Sequence, residues 1–148
     1  MLALCTAATS FLFKEKVGKI QLYADGDSCA NPMLLMLNGG PCYPYTALGG
    51  EKFFEPLLAS HTIVYHDSRG VGNSGGSTSS WQQHVTDAID VGRFALDKCN
   101  QSRLSVFGYS AGTLLALNVS AQQPDMVDRV LLVALKVDQQ RALEVRYD

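Results

Sequence analysis

The chain has 148 residues and a formal charge of −2, with 47 % hydrophobic and 18 % charged residues. That length and mix suit one globular domain with a sizeable core. No dense Lys/Arg run gives the basic footprint that nucleic-acid binding needs. No apolar run reaches the roughly 18 residues of a membrane span.

Met1 to Phe13 is apolar, yet Lys14 and Lys16 follow that stretch instead of preceding it. A cytoplasmic chain is therefore expected, with a signal peptide as the weaker alternative. The four cysteines, Cys5, Cys29, Cys42 and Cys99, form no C-x-x-C pair. Free thiols are expected rather than a zinc site, a redox motif or disulfides, and no metal or cofactor is implied.

Lys19 to Tyr23 alternates like a half-buried strand. Met33 to Leu37 is continuously apolar, like a strand buried on both faces, and stops at Asn38-Gly39-Gly40-Pro41. Glu51 to Ser60 reads as a short helix interrupted by Pro56. Thr62 to Tyr65 is the next strand, followed by a Gly/Ser-rich loop from Asp67 to Ser80. From Trp81 to Lys98, Val85, Ala88, Ile89, Gly92 and Leu96 recur at helical steps. Leu104 to Phe107 is a strand, Ala111 to Gln123 a helix stopped by Pro124, and Val130 to Leu135 a last buried strand. This alternation predicts an α/β fold with parallel crossovers: a three-layer α/β/α sandwich around a mostly parallel sheet.

Sites in such sheets lie beyond the carboxyl ends of the strands. After Leu104 to Phe107 comes Gly108-Tyr109-Ser110-Ala111-Gly112, a G-x-S-x-G pattern. A nucleophilic serine on a sharp strand-to-helix turn needs such glycines, which have no Cβ to clash, at Gly108 and Gly112. The helix end beneath also favours a developing oxyanion. Acyl transfer further needs two backbone N–H donors. One is expected at Ala111; the other at Gly40, with Gly39 as the fallback. A plain tight turn with a capping Ser110 is the alternative.

Asp67 and Arg69 are expected as a structural ion pair or a turn brace. Gly70-Val71-Gly72-Asn73-Ser74-Gly75 looks superficially like a dinucleotide fingerprint, but no helix opens directly after it.

Taken in order, Asn38-Gly39-Gly40-Pro41-Cys42, Asp67-Ser68-Arg69-Gly70-Val71-Gly72-Asn73-Ser74 and Gly108-Tyr109-Ser110-Ala111-Gly112 resemble the α/β-hydrolase superfamily. The likeness is to its proline-iminopeptidase-like branch, peptidase family S33, from about Gly18 to Leu135. Asn38 stands where that branch has His, and Cys42 where it has Gly. The resemblance implies an α/β-hydrolase fold and a serine hydrolase that cuts an amide, peptide or ester bond in a small molecule or short peptide. It also implies a triad acid and His after the nucleophile, and about twice this length.

No histidine follows Ser110; His61, His66 and His84 all precede it. His66 is at a strand's carboxyl end but in a loop position, and His84 opens a helix and is expected in solvent. Asp138 is expected as a solvated loop carboxylate. Residues 1–148 are thus expected to form the N-terminal part of a single α/β-hydrolase domain, truncated after about the sixth strand. The competing reading is a catalytically incomplete fragment or pseudoenzyme without the triad His.

Overall fold

The computed structural model describes residues 11–40, 43–48, 51–77 and 80–135. Six strands form one sheet: β1 (Phe13–Val17), β2 (Ile20–Asp25), β3 (Met33–Leu37), β4 (Thr62–His66), β5 (Leu104–Tyr109) and β6 (Val127–Val133). Their order across the sheet is β1-β2-β4-β3-β5-β6. β1 and β2 form an antiparallel hairpin, and β2 pairs antiparallel with β4. The pairs β3/β4, β3/β5 and β5/β6 are parallel. The sheet is thus mostly parallel, as the alternation of elements predicts.

Among the described residues the α-helices are α1 (Glu51–Phe54), α2 (Trp81–Lys98) and α3 (Ala111–Gln122), with a 3-10 turn at Tyr45–Leu48. A short 3-10 turn, Glu55–Leu57, follows α1, with Pro56 in its first positions. The Ser80 hydroxyl caps α2 by accepting from the Gln83 N–H, as serine does at a helix start.

The apolar run of β3 sorts by parity, because successive side chains point to opposite faces. Met33, Leu35 and Leu37 join a core with Val64, Val106 and the inner faces of α2 and α3. Leu34 and Met36 join the opposite core with Tyr65, Phe107 and Phe54 of α1. Phe54 and Phe107 meet edge to face with centroids 5.2 Å apart, a favoured aromatic geometry. Every β3 residue is therefore buried.

Four expectations are corrected. β1 was not expected; its sequence, Phe-Lys-Glu-Lys-Val, carries three charges and only two apolar anchors, and it lies at the sheet edge. The last strand is not buried: Leu131 and Val133 are about half exposed. β6 is the opposite edge and pairs only with β5 among the described residues. A flat apolar edge of this kind invites pairing with other chains. Cys29 and Cys99 are not free thiols but a disulfide joining the β2–β3 loop to the end of α2, 70 residues apart. Their distance in sequence hid a Cα separation of 5.0 Å. The expected ion pair of Arg69 with Asp67 gives way to one with Asp87, described below. Cys5, Pro41, Cys42 and Asp138 lie outside the described residues.

The disulfide sits where β3 and β5 begin, at the far end of the sheet from Ser110. Beside it, the Gln101 amide donates to the carbonyls of Cys29 and Asn31. Closing a loop of this length restricts the unfolded chain by about 4 kcal/mol. Urea unfolding of Cys99→Ser should therefore show a loss of that order against the oxidised parent. Reducing the parent with a thiol should cause the same loss.

Candidate active site

Ser110 occupies the turn between β5 and α3, with φ 53° and ψ −120°. Asn100, Ser110 and Ala134 are the non-glycine residues with positive φ among those described. Holding a serine there costs on the order of 1–3 kcal/mol, so the surroundings must impose it. They do. The Ser110 N–H donates to the Val133 carbonyl at 3.0 Å. The Ser110 carbonyl accepts from the Thr113 N–H at 3.0 Å and from the Thr113 hydroxyl at 2.5 Å. The Ser110 side chain makes no capping bond to α3. Its hydroxyl is thus not spent on the helix, which removes the capping-serine alternative.

Both flanking glycines are sterically required. A Cβ at Gly108 would lie 2.5 Å from the Gly112 carbonyl oxygen and 2.8 Å from the Thr113 Cα. A Cβ at Gly112 would lie 2.1 Å from the Leu37 carbonyl oxygen. The first turn of α3 is thus seated directly on the end of β3.

The β3 loop meets the turn from the other side. A Cβ on Gly39 would be 3.0 Å from the Cβ of Ser110. Gly40 has φ +69°, and a Cβ there would strike the Tyr43 ring at 2.6 Å. The Asn38 amide donates to the Pro44 carbonyl at 3.0 Å, closing the loop across its base. Gly40 and Ala111, the two expected donors, line one cavity together with Asn38, His66, Trp81 and Leu115. Ser68 and His84 complete its wall. The structure thus brings Gly39, Gly40, Ser110 and Ala111 together.

The β4 loop is braced rather than reactive. Asp67 is buried and accepts from the Tyr23 hydroxyl at 3.0 Å, the Tyr45 N–H at 3.0 Å and the Asn73 N–H at 2.9 Å. A Cβ on Gly72 would fall 2.5 Å from its carboxylate. Burial raises the Tyr23 hydroxyl pKa above its usual value; Asn73 opposes that shift and Asp67 adds to it. Arg69 grips Asp87 of α2 with two N–H groups, Nε at 2.8 Å and Nη2 closer still. That planar fork matches a carboxylate, and the Asp87 hydrogen bond raises the Arg69 pKa. Sequence reading missed Asp87, though its place on the buried face of α2 was a usable signal. Gly75 N–H bonds back to the Lys19 carbonyl at 2.8 Å, so this loop opens no phosphate-binding helix.

The histidines separate by burial. His84 is 7 % exposed, not in solvent as expected, because the first turn of α2 packs into the cavity. His66 is 8 % exposed, and burial lowers its pKa from 6.5 to about 4; Asp87 and Asp67 oppose that shift and His84 adds to it. His61 bonds the Ser60 hydroxyl on the surface.

A family model described as serine aminopeptidase, S33, matches residues 52–145. A Bacillus subtilis protein named "Probable aminopeptidase YbaC" is 33 % identical over 114 residues, which cover 73 % of this chain and 35 % of that protein. The proline iminopeptidase-related protein of Thermus thermophilus superposes with a TM-score of 0.64 at 23 % identity, over 81 % of this chain and 42 % of its own. Epoxide hydrolase A of Mycobacterium thermoresistibile gives 0.65 at 19 % identity, over 90 % and 43 %. At these identities the two structures establish the fold alone, the α/β-hydrolase fold. The chain spans about a third of the length of the curated relatives it matches.

The packing around Gly112 has a direct consequence. Gly112→Ala should lose about 3 kcal/mol or more, because the new methyl meets backbone that cannot rotate away. Gly92→Ala is the control: the nearest atoms its Cβ would meet are side-chain methyls of Leu104, Leu35 and Met126, at 3.3–3.4 Å. Helix propensity there favours alanine, so its denaturation midpoint should stay near the parent's.

His66 gives a second. Its proton affinity is higher in the unfolded chain than in the folded one. Its contribution is therefore intact above about pH 6.5 and is lost as pH falls towards 4, by about 3 kcal/mol. Urea midpoints between pH 7 and pH 4 should fall less steeply for His66→Leu than for the parent.

Proposed function

The chain belongs to the serine aminopeptidase family S33, and from that premise we propose that Ser110 is the attacking group of an acyl-transfer hydrolase. Its bond would be an amide, peptide or ester in a small molecule or short peptide. The observation that carries this reading is the strained backbone at Ser110 with its hydroxyl left uncapped. Strain held in this way is characteristic of functional turns.

In the reaction, the Ser110 oxygen adds to the substrate carbonyl carbon while a base takes the hydroxyl proton. The N–H groups of Ala111 and Gly40 receive the oxyanion at the start of α3, where the helix dipole also favours negative charge. Collapse expels the amine or alcohol, and water then releases the acyl group. The shared cavity wall of Gly40 and Ala111 supports their pairing as donors. The closeness of Gly39 to Ser110 supports Gly39 as the alternative.

One observation favours a second reading, a catalytically incomplete chain. His66, the histidine at the carboxyl end of β4, holds its proton too weakly to be an effective base.

Labelling with a fluorophosphonate probe, with and without added imidazole, separates these readings against a Ser110→Ala control. Ser110-dependent labelling without imidazole supports a complete hydrolase and sinks the second reading. Ser110-dependent labelling only with imidazole supports Ser110 as nucleophile and an external base. A folded parent that labels no better than the control under both conditions overturns Ser110 as the nucleophile.

A further inference from the structure

The chain carries two Asn-x-Ser sequences, Asn100-Gln101-Ser102 and Asn118-Val119-Ser120. Each has the form that accepts an N-linked glycan in an exported protein. The structure separates them.

Asn118 lies half-buried within α3, and its amide donates to the Leu114 carbonyl at 2.8 Å. Val119 beside it is fully buried, and the Ser120 hydroxyl donates to the Ala116 carbonyl at 2.7 Å. Both polar side chains of this sequence are thus spent inside the helix. Asn100 instead lies on the surface just beyond α2, with φ 51°. Asn enters this left-handed conformation more readily than most residues. The backbone holds the turn, because the Asn100 N–H donates to the Asp97 carbonyl and the Gln101 N–H to the Leu96 carbonyl. Among the described residues no hydrogen bond engages the Asn100 amide or the Ser102 hydroxyl, and both residues are exposed. With Ala30 and Arg103 they line an open recess of about 520 Å³.

A second observation points to the compartment in which such chemistry occurs. Cys99, next to Asn100, is bonded to Cys29. Disulfides form and persist in oxidising, exported environments and are rare in the reducing cytosol.

We propose that Asn100 is an N-glycosylation site, modified as the chain passes through an oxidising compartment, and that Asn118 is left unmodified.

The donor is a polyprenyl-diphosphate oligosaccharide. The Asn100 amide nitrogen bonds to the anomeric carbon of the first sugar, and the bond from that carbon to the diphosphate oxygen breaks. The diphosphate leaves with the electron pair, and the nitrogen gives up one proton. Export requires the apolar stretch from Met1 to Phe13 to act as a signal peptide. The modified turn lies where β5 begins, and Ser110 follows its end, about 20 Å along the strand. A glycan at Asn100 therefore leaves the Ser110 cavity open, and the proposal is independent of any role for Ser110.

The test is to express the full chain, with its own N-terminus, in cultured animal cells. Peptides from medium and lysate are then mapped by mass before and after peptide N-glycosidase F, which leaves Asp where a glycosylated Asn stood. One glycan is expected, on Asn100, retained in Asn118→Gln and lost in Asn100→Gln and Ser102→Ala. An exported chain with unmodified Asn100, a glycan on Asn118 in its place, or a chain kept unmodified in the cytosol would overturn the proposal. Ser102→Ala leaves the left-handed turn intact, so it decides the matter if Asn100→Gln fails to fold.

Discussion

Everything at the candidate site depends on how closely α3 is seated on the end of β3. A single methyl at Gly112 would stand 2.1 Å from the Leu37 carbonyl oxygen. The helix therefore begins in van der Waals contact with the strand, and the chain between β5 and α3 has no room for a relaxed turn. Ser110 takes positive φ because the turn is too short for anything else. The same contact brings the β3 loop against the serine, since Gly39 follows Leu37 by only two residues. One steric fact thus sets the nucleophile candidate, its strain and the approach of the glycine loop together.

A second brace holds the other wall. Asp67 satisfies donors from β2, from the segment after the β3 loop and from its own loop, at Tyr23, Tyr45 and Asn73. Arg69 then fastens the loop to α2 through Asp87. Asp87 is buried and Arg69 only partly so; removing one partner from such a charged hydrogen-bonded pair costs about 1–3 kcal/mol. That cost reflects the charge left behind, not the worth of the pair. The effect is to lock β4, its loop and α2 into one body. His66, His84 and Ser68 all lie on this body, which is why they meet in one cavity.

How much of this was legible in the sequence follows from the range of the interactions. The strands β3, β4 and β5 and the helices α2 and α3 were legible because each buries a periodic apolar pattern within one short segment. The glycine positions at the turn were legible because chain geometry dictates them locally. What escaped was non-local. Arg69 chooses Asp87 over Asp67 because α2 folds back across the loop, and nothing near Arg69 in sequence says so. Cys29 meets Cys99 only once β3 and α2 are packed. β1 escaped for a different reason: its inward face has Phe13 and Val17 as apolar anchors, with Glu15 between them bonded to Lys98.

The histidines show why position along a strand does not make a base. His66 ends β4 on the correct side of the sheet, yet its ring is enclosed, and desolvation penalises the imidazolium that a base must become. A base that weak is uncharged at neutral pH and so available, but it gains little on taking a proton from a hydroxyl, and Brønsted behaviour makes it slow. Its two acidic neighbours, Asp67 and Asp87, cannot reverse this, because each carboxylate is already engaged: Asp67 by three donors, Asp87 by Arg69 and Gln83. The electrostatics of the site are therefore one-sided. The start of α3 and the glycine loop favour negative charge, while the buried imidazole resists positive charge. This division sets His66 apart from the negative-charge-favouring wall formed by the start of α3 and the glycine loop.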